Sequence, residues 1–408
     1  MSSDQHSNDD GRAGRLSPGS LVIHGGQHLE PVTGAVMPPI FTSATYAQSS
    51  PGEHRGFEYS RSHNPTRYAL ERLVASLEGS DVSEDEDPSC GGFAFASGLA
   101  AMATLLELID TGSRIVAMDD LYGGSRRLLS QVRERTQGLE VEYVDFTDLD
   151  KAKDAIDSKT RMVWVETPTN PLLKMVDLKA LAELAREINP EVLLVCDNTF
   201  CSPIYQRPLD LGFDIVLHSS TKYLNGHSDV VGGVVVTSRR DLVERLRFLQ
   251  NAIGSVMGPF DAYMTLRGIK TLDIRMRRHS ESAGRIAEWL SEQPRMEKVI
   301  FPALESHPQY ELYKRQMYGP GGMVTFVLDG TLENARRFAE NIEVFQLAES
   351  LGAVESLVNH PAIMTHASVP ADVRRELGIS DALLRLSVGI ETTEDLLADL
   401  EQALAAAF

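Results

Sequence analysis

From about residue 67 the chain alternates short, apolar, β-branched runs with longer stretches in which apolar positions recur every three or four residues. That alternation predicts an α/β core, a parallel-rich sheet wrapped by helices. The runs expected as strands are Gly92–Ala96, Arg114–Met118, Glu140–Asp145, Met162–Glu166, Val192–Asp197, Ile215–His218 and Gly233–Thr237. Several are apolar almost throughout, as strands covered on both faces should be. Beyond roughly residue 260 the pattern changes to amphipathic helices over Phe260–Ser291, Leu332–Asn341 and Thr393–Ala406, with a Gly-rich strand candidate at Gly321–Leu328. The expected division is therefore an N-terminal arm over 1–66, an α/β domain over 67–260 and a smaller C-terminal α+β domain over 261–408. No internal repeat at solenoid periods interrupts this plan.

Composition narrows the field. With 408 residues, 42% of them apolar, the chain can bury a large core without staples. A net charge of −19 repels nucleic-acid phosphates, so Arg275, Arg277 and Arg278 read as one cationic helix face and not as a nucleic-acid site. Three cysteines, Cys90, Cys196 and Cys201, form no CxxC pair and no spacing that would close a zinc site, so no metal is expected and a reducing cytosol is. The start, MSSDQHSNDDGRAGRLSPGS, lacks an apolar stretch for a secretory signal and reads as a frayed arm. The charge-free stretches Pro31–Gly52 and Pro88–Leu106 are broken by prolines or glycines, so no membrane span is expected. The acidic run Ser80–Ser89 reads as a solvated loop.

The chemistry gathers at the ends of the predicted strands, where open α/β sheets bind ligands. In the run Asp214-Ile-Val-Leu-His-Ser-Ser-Thr-Lys222, the hydroxyls of Ser219 and Thr221 stand beside an amine at the end of an apolar strand. A desolvated ammonium needs a partner or a covalent use, and hydroxyls with an amine suit a phosphate-bearing aldehyde. The competing reading is a lysine that snorkels to solvent. Asp197, closing the strand Val192–Asp197, would pair with a protonated ring nitrogen, or else simply begin a turn. Ser97-Gly98-Leu99 leads from a strand into a helix whose first N–H groups would hold a phosphate. Tyr122 would lay its ring over a pyridine, or be an ordinary turn aromatic. There is no GxxxxGK[ST] loop and no GxGxxG fingerprint.

In this order and spacing the motifs resemble the Cys/Met metabolism family of enzymes dependent on pyridoxal 5′-phosphate (PLP). The segments that carry the likeness are Phe57-Glu-Tyr-Ser-Arg-Ser-His-Asn-Pro-Thr-Arg67, Phe95-Ala-Ser-Gly-Leu99, Glu166-Thr-Pro-Thr-Asn-Pro171, Asp197-Asn-Thr, Ser219-Ser-Thr-Lys-Tyr-Leu-Asn-Gly-His-Ser-Asp229 and Leu383-Leu-Arg-Leu-Ser-Val-Gly389. The resemblance runs over roughly residues 20 to 406, and the acidic Ser80–Ser89 loop looks like an insertion in it. It implies the aspartate-aminotransferase-like fold (fold type I), with PLP held as a Schiff base on Lys222. It further implies that Asp197 pairs with the pyridine nitrogen, that Tyr122 stacks on the ring, and that Gly98, Leu99, Ser219 and Thr221 hold the phosphate. By the same likeness Tyr59 and Arg61 reach from the arm into a neighbouring subunit's site, which implies a dimer paired into a homotetramer.

The resemblance also assigns the substrate's α-carboxylate to Arg385, helped by Asn170 and Ser350. Lys222, once released, becomes the base that moves protons between carbons. Glu58, Arg127 and Glu349 match positions charged in the family members that split cystathionine at its γ-carbon, where a second ammonium and carboxylate must be met. The activity implied is α,γ-elimination of L-cystathionine, with hydrogen sulfide release from cysteine or homocysteine as a further outcome. The alternatives are γ-replacement on an O-acylhomoserine by cysteine and, from another class, a non-catalytic scaffold.

Overall fold

The computed structural model describes residues 16–367 and 369–408; residues 1–15, on which most of the expected frayed arm falls, lie outside the described residues. Seven strands, β1 (Gly92–Phe95), β2 (Arg114–Met118), β3 (Glu140–Val144), β4 (Thr160–Glu166), β5 (Leu193–Asp197), β6 (Ile215–His218) and β7 (Gly233–Thr237), form one sheet in the order β1-β7-β6-β5-β4-β2-β3. Each lies within two residues of its predicted run, because strands covered on both faces are nearly uniformly apolar. Strands β2 to β6 are parallel, while β7 pairs antiparallel with both β1 and β6. The five parallel strands therefore deliver their carboxyl ends to one edge, where Glu166, Asp197 and His218 close β4, β5 and β6.

A second sheet, in the order β10-β11-β12-β9-β8, comprises β8 (Met296–Ile300), β9 (Met323–Leu328), β10 (Gln346–Leu347), β11 (Leu357–Asn359) and β12 (Leu383–Ser387). Apart from the parallel pair β10 and β11, its strands run antiparallel. Leu384 and Leu386 of β12 join an apolar core with Phe326, Phe338 and the helix Thr393–Ala407. Arg385, between them, turns to the opposite face, as the two-residue period of a strand requires. Among the described residues no helix is long and apolar enough to cross a membrane.

Two expectations are corrected. The single long helix over Phe260–Ser291 is two, Pro259–Ile269 and Leu272–Ser291. At the break Gly268 lies so close to Asn225 that an added Cβ would stand 2.2 Å from its carbonyl oxygen. Arg275 donates to the buried carbonyls of Gly268, at the break, and of Tyr223, beyond β6, at 2.9 and 2.8 Å. Arg275, Arg277 and Arg278 are consequently no common cationic face: Arg275 is buried, Arg277 pairs with Asp273, and Arg278 donates to the Glu391 carbonyl.

The acidic run is largely exposed, as expected of a solvated loop, and is in addition tied down by ion pairs. Asp81 and Glu86 are held by Arg240, Glu84 by Arg72 and His28, and Asp87 by Arg247 at 2.7 Å. Asp87 is buried and also accepts from Ser89 and the Gly91 N–H. Asp81, Glu84, Asp85 and Glu86 remain exposed, and of the acids in the run only Asp87 is withdrawn from solvent.

Candidate active site

At the carboxyl edge of the first sheet, against the second, lies a cavity of about 490 Å³. Of the residues singled out from sequence, Gly98, Leu99, Tyr122, Asn170, Asp197, Ser219, Thr221, Lys222, Glu349, Ser350 and Arg385 line it. Glu58, Tyr59, Arg61 and Arg127 do not; all four are exposed, the first three on the arm and Arg127 at the end of the short helix Gly123–Arg127. The arm residues thus lie away from the cavity of their own chain.

Lys222 follows β6 through the turn Ser219–Thr221, in which the Lys222 N–H donates to the Ser219 carbonyl at 3.2 Å. The turn is pinned at both ends. The Ser219 N–H donates to Thr199 Oγ1 at 2.9 Å, and Thr221 Oγ1 accepts the Gly232 N–H at 3.0 Å. Lys222 Nζ points into the cavity wall and donates to Ser350 Oγ at 2.9 Å. Burial, reinforced by the Arg385 guanidinium and opposed by Glu349, pushes its pKa from 10.5 down to about 8. This amine is therefore close to the proton-accepting range near neutrality.

Asp197, at the end of β5, accepts from the N–H and hydroxyl of Thr199 at 3.1 and 2.5 Å. Burial raises its pKa, while Thr199 and the nearby His218 favour the anion. Next to it in register stands Glu166, whose carboxyl is pushed well above its usual range by burial and by the Asp197 charge. Across the cavity Arg385 is buried, donating Nη1 to Asn170 Oδ1 at 2.5 Å and Nη2 to the Ser350 carbonyl at 3.1 Å. Its Nε has no partner, and burial lowers its pKa from 12.5 to about 10. A guanidinium fork satisfied only by neutral oxygens is a buried charge that a carboxylate would compensate.

These residues fit PLP. Ser97 caps the helix Gly98–Leu105 by accepting the Ala100 N–H at 3.0 Å. The Gly98 and Leu99 N–H groups remain among those that a helix cannot pair internally, and both residues line the cavity. Gly98 approaches Ser219 so closely that an added Cβ would lie 3.2 Å from the Ser219 Cβ. The cradle, the amine and a carboxylate for a ring nitrogen then occupy one cavity. Among the described residues no group of three His, Cys, Asp or Glu is placed to hold a metal.

Sequence reasoning gave no role to Glu166, Thr199, Trp164, Phe200 or Thr365, which also line the cavity. Glu166 carried the same signal as Asp197, an acid closing an apolar strand. The Asp-x-Thr spacing of Asp197 and Thr199 is a local turn signature. Thr365 comes from a distant loop and left no signal.

Residues 19–405 match the family model described as Cys/Met metabolism PLP-dependent enzyme. The chain is 56% identical over 384 residues to a cystathionine beta-lyase of Coxiella burnetii, covering 94% of this chain and 96% of that one. It is 51% identical over 387 residues to the cystathionine gamma-lyase of Homo sapiens, covering 95% and 93%. Among solved structures, the cystathionine gamma-lyase of Lactobacillus plantarum complexed with L-serine superposes with a TM-score of 0.91 at 43% identity, covering 96% of this chain and 99% of that one. The cystathionine gamma synthase of Xanthomonas oryzae pv. oryzae in complex with cystathionine gives 0.91 at 42%, covering 96% and 98%.

Proposed function

We propose that this chain, which belongs to the Cys/Met metabolism PLP-dependent enzyme family, cleaves L-cystathionine with water to L-cysteine, 2-oxobutanoate and ammonia. PLP, when bound, supplies an aldehyde for the substrate's amine and a protonated ring that draws electron density from its carbons. The catalytic residues in this reading are Lys222, Asp197 and Tyr122. Lys222 Nζ anchors the cofactor, then takes the proton from Cα and moves protons at Cβ and Cγ, which its flexible stem and lowered pKa favour. Asp197 keeps the ring nitrogen protonated, and Tyr122 covers the ring face. The N–H groups of Gly98 and Leu99, with the hydroxyls of Ser219 and Thr221, hold the phosphate.

Arg385, braced by Asn170 and the Ser350 carbonyl, grips the α-carboxylate. Glu349 receives the distal ammonium of cystathionine. Its place in the same cavity wall as Lys222 and Arg385 is the observation that carries the choice of substrate, since a thioether without a distal charge has no use for it. Arg127 and, from the arm of a neighbouring subunit, Glu58 complete the distal end. Tyr59 and Arg61 reach the neighbour's phosphate, so the 1–66 arm serves another copy, the 67–260 domain holds PLP, the 261–408 domain holds Arg385, and the assembly is a homotetramer built from two such pairs. The exposure of Tyr59 and Arg61 away from their own cavity supports this arrangement. The cysteine pattern favours the cytosol.

Gamma-replacement is the second reading, favoured by the overall likeness to the Xanthomonas synthase. Cystathionine alone should yield 2-oxobutanoate and cysteine. Pyruvate and homocysteine instead would assign cleavage at the β-carbon, and cystathionine formed only from cysteine with an O-acylhomoserine would assign the synthase.

A further inference from the structure

Two carboxyls, not one, stand at the floor of the cavity. Glu166 closes β4 and is set by parallel register beside Asp197, which closes β5. The ring nitrogen needs only Asp197, so the roles above leave a buried acid without a task. Its hydrogen bond supplies one. Glu166 Oε2 accepts the Tyr122 N–H at 2.9 Å, and Glu166 is the last residue of β4, at the root of the loop that carries Asn170. Tyr122 lies on the loop after β2 and Asn170 on the loop after β4, so the bond ties the first loop to the residue from which the second springs. The first carries the ring proposed to cover the cofactor, and the second carries the amide oxygen that takes Arg385 Nη1. Burial and the charges of Asp197 and Asp120 favour the neutral acid. A neutral carboxyl still accepts N–H bonds, and it sets no second anion against Asp197.

We propose that Glu166 is a positioning residue that holds the Tyr122 ring and the Asn170–Arg385 clamp in one register, so that a single side chain sets the grip on both the cofactor and the substrate's carboxylate. The proposal rests on the site roles given above. It requires a neutral acceptor of the right length and no charge at position 166, so glutamine should serve and aspartate, one methylene shorter, should not.

The test compares wild type, Glu166→Gln, Glu166→Asp and Glu166→Ala, each purified as holoenzyme. Three quantities are read: the PLP dissociation constant after removal and titration, the visible circular dichroism of the bound cofactor, and the affinity for glycine from the change in cofactor absorbance. Glycine offers an α-amine and an α-carboxylate but no carbon beyond, so it probes the clamp without elimination. Glu166→Gln should stay within about twofold of wild type in both affinities and keep the dichroic band. Glu166→Ala and Glu166→Asp should weaken PLP and glycine together by about tenfold or more and diminish the band. The proposal is overturned if folded Glu166→Ala binds both ligands like wild type, or if Glu166→Gln is as impaired as Glu166→Ala. Should the alanine variant not fold, Glu166→Asp takes its place in both comparisons. Because binding is read and not turnover, a mistaken choice of thioether substrate would leave this result standing, and would show separately in the product assays.

Discussion

Lys222 Nζ donates a 2.9 Å hydrogen bond to Ser350 Oγ across 128 residues of chain, joining the turn after β6 to the segment between β10 and β11. Ser350 makes this contact from a backbone φ of 102°, a region that L side chains rarely adopt. Its carbonyl is meanwhile held by Arg385 at 3.1 Å. Strain at a non-glycine residue of this kind costs about 1–3 kcal/mol and persists only when its surroundings enforce it.

Two substitutions at Ser350 separate strain from contact. Both Ser350→Ala and Ser350→Gly remove the acceptor of the Lys222 amine and should lower kcat by about tenfold. Only glycine relieves the backbone, so the glycine variant should melt above the alanine variant. Equal melting temperatures would show that the backbone at 350 stores no strain.

The lowered pKa of Lys222 has a stability signature in the PLP-free protein. The folded state binds this proton only below about 8, whereas the unfolded chain holds it up to about 10.5, so stability is lost as pH falls through that window and the loss is complete below about 8. Lys222→Met removes the penalty. Its melting temperature should exceed that of PLP-free wild type by the most below pH 8, with the difference fading as pH rises toward 10.5. A constant difference across that range would mean that the amine is not desolvated. The same variant should be colourless and lose activity by about 10³-fold or more.

Arg385→Lys keeps a cation but loses the fork. A point charge on a flexible stem cannot reproduce two parallel bonds to a carboxylate, which are worth about 1.5–3 kcal/mol. KM for the amino acid should rise about 10- to 100-fold, with a smaller effect on PLP retention. Steady-state kinetics alongside PLP titration distinguish the two, and a large loss of PLP with KM unchanged would assign Arg385 to the cofactor.

The acidic run should divide sharply by burial. Asp87→Ala leaves Arg247 without its buried partner and should destabilise by about 3 kcal/mol. Asp85→Ala, two residues away and exposed, should change stability by less than about 0.5 kcal/mol. Chemical denaturation of the two variants under one condition provides the comparison.

How legible each feature was in the sequence depended on how local its cause is. Strands β1 to β7 could be read because coverage on both faces leaves an almost unbroken apolar run, and Lys222 and Asp197 because each ends such a run with a polar group. Arg385 could not be read from pattern, since its partner Asn170 is 215 residues away and an arginine within Leu383–Ser387 looks like surface. Only the family likeness pointed to it. The Lys270-Thr271 break and the pinned acidic run escaped for the same reason: Arg275, Arg240 and Arg247 act on residues far off in sequence. The direction of β7 is likewise a matter of how the chain returns to the sheet, which no apolar run encodes.

The cavity draws Lys222, Asp197 and the residues proposed to cradle the phosphate from the seven-stranded sheet, but Arg385 from the five-stranded one. A molecule whose smaller sheet had loosened would keep its vitamin and remain yellow while being blind to amino acids. Colour would then overstate the competent fraction of a preparation, and titration with a carboxylate ligand would be the truer count of working sites.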